Sequence, residues 1–171
     1  MAVHEVVVTM ETRAEFVFRV QPGLTRSRGT SIHGQIWCEF GESAFPESQW
    51  WDFPIVVMSW WLEAIVALVE GGGQNVDVSF MDGPFRVLVF AKSRELWQAE
   101  WVEGHGAGTR VLRQFDFAPE PFIQSLMACS RDLFEECSVK DWKSTDVDAV
   151  ISYRERLIRH VAKAGFMGAT R

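Results

Sequence analysis

"FPESQWWDFPIVVMSWWLEAIVALVEGGG", residues 45–73, is the stretch that decides the fold of this 171-residue chain. Between Phe53 and Val69 it is almost entirely apolar, with Ser59 and Glu63 as exceptions. A bilayer span needs about 20 apolar residues, and a carboxylate near its centre costs about 2.5 to 3.5 kcal/mol. The run is shorter than that and carries Glu63. It therefore predicts a buried helix of a globular domain, without membrane association.

The ends of this helix are marked by residues with known terminal preferences. Asp52 is expected to cap the first turn, Pro54 suits that turn because its missing N–H costs little, and Gly71 supplies a left-handed residue after the last turn. Apolar residues cover more than one face, so the helix is expected to be enclosed on several sides. We assign Trp60 and Trp61 to the core, each with a backbone acceptor for its indole N–H.

Upstream of the helix the hydrophobic pattern has a period of two, which is typical of half-buried strands. In residues 14–20 Ala14, Phe16, Phe18 and Val20 share one face, and together with residues 4–10 this segment predicts an opening hairpin. Residues 32–40 predict a third strand. Residues 21–31 carry Pro, Gly, Ser and Arg without periodicity and predict a mobile connection.

Downstream of the helix four further segments are β-prone. Residues 75–81 and 85–91 flank a turn signal at Asp82, Gly83 and Pro84, which predicts a hairpin. Residues 95–102 and 109–117 follow through a short glycine-rich break. Because the connections are short, an antiparallel meander is favoured over parallel crossover units.

The C-terminal third changes to a helical period. Thr145 and Asp148 resemble a capping box before the second of two amphipathic helices. The apolar positions of the first helix are Phe122, Leu126, Cys129, Leu133 and Cys137, and those of the second are Val147, Val150, Ile151, Leu157, Ile158 and Val161. We therefore expect a single α+β domain over residues 1–171, with frayed last residues. It should have a mainly antiparallel sheet, a buried central helix after the third strand and two C-terminal amphipathic helices.

Composition and motifs exclude several functions. The net charge of −6 and the pI near 5.2 argue against nucleic-acid binding, which needs a basic surface. Three cysteines without metal-ligand spacing, and an N-terminus unlike a signal peptide, indicate a cytoplasmic protein with reduced thiols. The four histidines are scattered and no catalytic motif is present. We expect no catalytic residue, no metal and no cofactor.

Glu63 admits two interpretations. Buried on the apolar helix, it would have a raised pKa and could act as a general base. Alternatively it lies on the one wet edge of the helix with Glu70, seven residues later. The second interpretation is favoured, so enzyme activity is the minority hypothesis.

The candidate binding site precedes the central helix. Trp50 and Trp51 stand among Glu47 and Asp52, with Glu42 nearby. Aromatic anchors provide affinity and surrounding carboxylates speed association with a basic protein. Trp97 and Trp101 have a similar acidic setting, formed by Glu95, Glu100 and Glu103. Solvent-exposed faces that bind no partner often have the same composition. The pattern therefore predicts a partner surface but does not identify the partner.

The segment "FPESQWWDFPIVVMSWWLEAIVALVEG", followed by "VSFMDGPF", resembles small bacterial immunity proteins of polymorphic or contact-dependent growth-inhibition toxin systems. The resemblance covers about the central third of the chain. It implies a non-catalytic cytoplasmic protein that binds a cognate basic toxin domain, often a nuclease, and blocks it. The resemblance concerns residues of the scaffold, and it identifies no residue that would contact the toxin.

Two other classes of function stay open. A small-ligand-binding or hot-dog-like enzyme domain would have a deep pocket beside Glu63 or His33. A structural or adaptor domain would have no neutralising role. An immunity protein is expected to have a filled core and an acidic surface near Trp50 and Trp51.

Overall fold

The computed structural model describes residues 14–27, 29 and 31–164. Residues 4–10, the predicted first strand of the opening hairpin, and the predicted frayed end, residues 165–171, lie outside this part of the chain. The described residues form nine strands and three helices: β1 (Phe16–Val20), β2 (Thr25–Arg26), β3 (Ile32–Phe40), β4 (Ser43–Phe45), β5 (Trp51–Asp52), α1 (Pro54–Val69), β6 (Asn75–Ser79), β7 (Phe85–Ala91), β8 (Trp97–Glu103), β9 (Arg110–Phe117), α2 (Pro119–Val139) and α3 (Thr145–Ala164).

The strands form two antiparallel sheets, so the α+β prediction is confirmed. In the first sheet β3 is central and pairs with β1, β2, β4 and β5. The second sheet is the predicted meander, in the order β6-β7-β8-β9. The connection predicted to be mobile contains β2, which pairs with the start of β3, and Leu24 beside it is buried.

Helix α1 lies at the centre of the molecule. The ring of Trp61 has its centroid 5.0 Å from that of Phe18 on β1, 5.8 Å from Phe122 on α2 and 6.4 Å from Phe80 after β6. Aromatic side chains from β1, from α2 and from the residue after β6 therefore surround Trp61. Gly71, with φ of 79°, follows the helix as predicted.

Three predictions about α1 are wrong in detail. Trp61 is fully buried, but Trp60 is 38% exposed, because successive helical residues point about 100° apart. The indole N–H of Trp61 has no hydrogen-bond acceptor among the described residues. The N-cap position belongs to Phe53, and no side chain caps the helix, so Asp52 is not the cap.

The C-terminal helices pack against the first sheet at β1 and against α1. Helix α2 packs on β1, and α3 packs on both α1 and α2. The backbone N–H of Phe18 donates to the Ser125 hydroxyl (2.8 Å), and the Cys129 thiol donates to the Phe18 carbonyl (3.3 Å). Side chains of α2 thus occupy the side of β1 that faces away from β3.

The start of α3 differs from the predicted capping box. The Ser144 hydroxyl accepts a hydrogen bond from the backbone N–H of Val147 (3.2 Å), so the residue before Thr145 supplies the cap. The predicted apolar faces of both C-terminal helices are buried or partly buried.

No helix within residues 14–164 combines the length and the apolar composition that crossing a bilayer requires.

Candidate partner-binding site

Asp52 holds together the segment that precedes α1. Its carboxylate accepts hydrogen bonds from the backbone N–H of Phe53 (2.7 Å) and from the indole N–H of Trp50 (3.2 Å). It also accepts from the backbone N–H groups of Met81 (3.1 Å) and Asp82 (3.2 Å), which belong to the turn between β6 and β7. One carboxylate therefore joins two segments that are about thirty residues apart in the chain.

This carboxylate is buried. Burial raises the pKa of Asp52 above the ordinary aspartate value, although the hydrogen bonds from Phe53, Asp82, Trp50 and Met81 favour its ionised form. Asp52 was a candidate for direct contact with a partner. Because the side chain lies inside the molecule, its role in the structure is to position the residues around it.

Trp50 also supports the site from within. Its ring packs edge-on against Phe85, with centroids 5.3 Å apart, and its carbonyl accepts a hydrogen bond from the N–H of Ile36 (2.8 Å). Gly83 lies against the same two rings at φ of 74°. A Cβ there would come within 2.8 Å of the Phe85 ring, so the turn needs glycine at this position.

The exposed residues on the two segments that Asp52 joins include Glu47, Trp51, Met81 and Asp82, and we call these residues the Trp51 surface. Trp51 is 50% exposed and Met81 is 48% exposed. Glu47 and Asp82 are exposed and form no salt bridge within the described residues. Trp51, Met81 and Asp82 thus project from backbone that adjoins or directly binds the Asp52 carboxylate.

Glu42 lies away from this surface. It is exposed in the turn after β3, where Phe40 pairs with Ser43, whereas Trp51 pairs with Gln35. Five residues of strand separate these positions, which is about 17 Å at about 3.4 Å per residue. The structure therefore places Glu42 at the other end of β3 from Trp51.

Sequence reasoning did not identify Met81 and Asp82 as members of the site. Residues 82–84 were identified only as a turn. They are joined to the site by their hydrogen bonds to Asp52, which link distant segments and leave no local signal in the sequence.

The second acidic aromatic group is not a surface of this kind. Trp97 and Trp101 are buried in the core, and Glu103 forms a salt bridge with Arg110. The side chains of Trp97 and Trp101 lie on the inner face of the meander. They have no contact area to offer a partner.

Glu63 lies on the exposed edge of α1, as the favoured interpretation predicted. Its carboxylate accepts a hydrogen bond from the Tyr153 hydroxyl (2.9 Å). Glu70, directly after the last residue of α1, binds Arg156 through two bonds of 2.7 Å and lies 2.7 Å from His160. Arg156 lowers the pKa of Glu70. These contacts join α1 to α3.

The cysteines are not activated nucleophiles. All three are buried and free of disulfides. Burial raises the pKa of Cys129 to about 11 and raises that of Cys38 well above the ordinary thiol value. At neutral pH both are thiols rather than the reactive thiolates. Residues 14–164 also contain no cluster of three potential metal-ligating side chains.

A surface groove of about 480 Å³ lies beside Glu63. Its walls come from α1 and β6: Trp60, Glu63, Ala64, Val76, Asp77, Val78 and Ser79. His33 is not part of it. That imidazole packs against the Phe53 ring, with centroids 4.5 Å apart.

No protein-family model matches the chain, and searches of curated proteins and of solved structures find no match either.

Proposed function

We propose that this protein is a non-catalytic binding protein that neutralises a cognate bacterial toxin by direct contact, as an immunity protein does. The observation that supports this most is the Trp51 surface. A half-exposed tryptophan is presented on a backbone that a buried carboxylate fixes in place. Such pre-organised aromatic side chains are the typical anchors of protein interfaces.

The charge of the site supports a basic partner. Glu47 and Asp82 have no neutralising cation among the described residues, and the whole chain carries a net charge of −6. An acidic surface accelerates association with a basic toxin domain such as a nuclease. The resemblance of the central segment to immunity proteins supports the same class of partner and a cytoplasmic location.

The proposal is tested by co-expression with the C-terminal domain of a toxin encoded next to its gene. We expect growth to be restored and the two proteins to purify as a complex. Trp51→Ala should weaken the complex by about 2 kcal/mol or more, as at an interface hot spot. Leu112→Ala, an exposed apolar change on β9, serves as the control and should leave binding unchanged. Full toxicity in the presence of the wild-type protein would refute the proposal.

A second candidate, small-ligand binding or catalysis, is favoured by the groove beside Glu63. Its volume of about 480 Å³ falls in the range of small-molecule sites. A metabolite library screened by thermal shift would distinguish the two functions. A compound that raises Tm for the wild-type protein but not for Glu63→Ala would support a ligand site.

A further inference from the structure

Strand β6 is an edge strand with free backbone groups. Within the described residues it pairs only with β7. The N–H of Phe80 donates to Phe85 O and that of Ala91 donates to Gln74 O, both at 2.9 Å. Because hydrogen-bonding direction alternates along a strand, the even-numbered residues between them face β7. The N–H and C=O groups of Asn75, Asp77 and Ser79 therefore face away from the sheet.

The free edge of β6 opens onto the groove described above. Trp60, 38% exposed, and Ala64 contribute apolar surface from α1, and Val76 contributes it from β6. Edge strands are commonly protected by proline, lysine or a bulge. The sequence NVDVS of β6 has no proline or lysine, and its register with β7 has no shift. This edge is therefore open to pairing with another strand.

The charge of the groove indicates what can bind there. Glu63 and Asp77 are its charged lining residues, and Glu63 forms no salt bridge within the described residues. Tyr153 binds Oε1 of Glu63, which leaves Oε2 available for a cation. Arg86 binds Asp77 at a partly exposed position, 2.5 Å from Oδ2. A basic side chain that enters the groove would therefore pair with Glu63 rather than with Asp77.

We propose that this groove binds an extended basic segment of a partner protein as an additional strand on β6. Backbone hydrogen bonds to Asn75, Asp77 and Ser79 supply the pairing, apolar side chains of the segment pack on Trp60, and a lysine or arginine pairs with Glu63. The five residues of β6 span about 17 Å, so the bound segment has about five residues. Its residues differ from those of the Trp51 surface, and the proposal does not depend on the immunity role.

The probe is an acetylated and amidated seven-residue peptide of alternating valine and lysine, titrated into the full chain and followed by two-dimensional NMR. We expect the largest shifts at the amides of Asn75, Asp77 and Ser79 and at the indole of Trp60. Ser79→Pro removes a free-edge N–H without removing a bond to β7 and should weaken binding about tenfold. Ser79→Ala keeps the N–H and should bind like the wild-type protein.

Three results would overturn the proposal. The first is the absence of shifts at these amides with millimolar peptide. The second is equal binding of a peptide with glutamate in place of lysine, which would remove the role of Glu63. The third is a dimer in sedimentation velocity that Ser79→Pro dissociates, because the occupant of the edge would then be a second copy of the chain. Trp60→Ala should lower peptide affinity, and Trp51→Ala should not.

Discussion

Asp52 shows how a single side chain organises a surface to which it does not itself belong. The carboxylate is buried, yet the exposed residues Trp51, Met81 and Asp82 all lie on backbone that it binds directly or adjoins. Each donor that points at it would otherwise be an unsatisfied N–H group in a low-dielectric setting. The position of the Trp51 surface thus depends on the ability of Asp52 to accept several hydrogen bonds at once.

Asp52→Asn should destabilise the fold. The asparagine amide nitrogen would have to face either the donors on Oδ1 or those on Oδ2, which leaves N–H groups unpaired at a cost of about 1 to 3 kcal/mol. Urea unfolding followed by tryptophan fluorescence measures this loss. Glu47→Gln, the same chemical change at an exposed position, is the control and should stay within about 0.5 kcal/mol of the wild-type protein. Equal stability of both variants would contradict the role assigned to Asp52.

At the scale of elements, α1 is the contact point of the two sheets. It packs on β3, on β6 and on α3. Only one edge of the helix reaches the solvent, where Trp60 and Glu63 border the groove. The two adjacent tryptophans therefore have opposite roles, Trp61 in packing and Trp60 at the surface.

Trp61→Ala should cost about 3 to 5 kcal/mol of unfolding free energy, because it leaves a cavity among Phe18, Phe80 and Phe122. Trp60→Ala should cost about 1 kcal/mol or less, since much of that side chain is already in water. Differential scanning calorimetry of both variants gives the comparison. Similar losses in the two variants would mean that Trp60 belongs to the core after all.

Helix α2 also holds the connection between β1 and β2. Glu136 accepts hydrogen bonds from the backbone N–H groups of Gly23 (3.2 Å) and Leu24 (2.7 Å), and it pairs with Lys140 (2.6 Å). Burial opposes ionisation, but the bonds from Lys140, Gly23 and Leu24 outweigh it and lower the pKa of Glu136. Gly23 and Leu24, in the connection predicted to be mobile, are therefore held by a helix more than a hundred residues later.

Glu136→Gln should destabilise the protein by about 1 kcal/mol near neutral pH, a modest value because solvent screens this partly exposed pair. Since the pKa is lower in the folded than in the unfolded chain, the stabilisation is fully present above the ordinary glutamate value and is lost as pH falls through the folded pKa. The difference from the wild-type protein in urea unfolding should therefore shrink between about pH 7 and about pH 3. A difference independent of pH would show that the charge is not involved.

For the whole molecule, the net charge of −6 affects association more than folding. If the partner is a basic domain, its association rate constant should fall when NaCl is raised from about 50 mM to about 500 mM, because salt screens charges beyond a few ångströms. Stopped-flow tryptophan fluorescence during complex formation measures this rate. Glu47→Gln should reduce both the rate at low salt and its salt dependence. A salt-independent rate would argue against electrostatic attraction.

The fold class, the longer strands and the three helices within the described residues could be predicted from the sequence. Periodicity located the central helix, the meander and the C-terminal helices, since the apolar faces repeat at the spacing of each element. It did not predict the short strands β2, β4 and β5, which have two or three residues and exist through pairing with β3. It placed the candidate site before α1 but could not distinguish Trp51 from Trp50.

The exposure of the residues before α1 depends on tertiary contacts. Asp52 is buried because the turn at Met81 and Asp82 folds onto it, and Trp50 is covered because Phe85 lies beside it. The groove at β6 likewise requires α1 and the second sheet to pack together. Local sequence sets backbone preference and hydrophobic period, whereas exposure depends on contacts between residues far apart in the chain, and those contacts decide the surface a partner can meet.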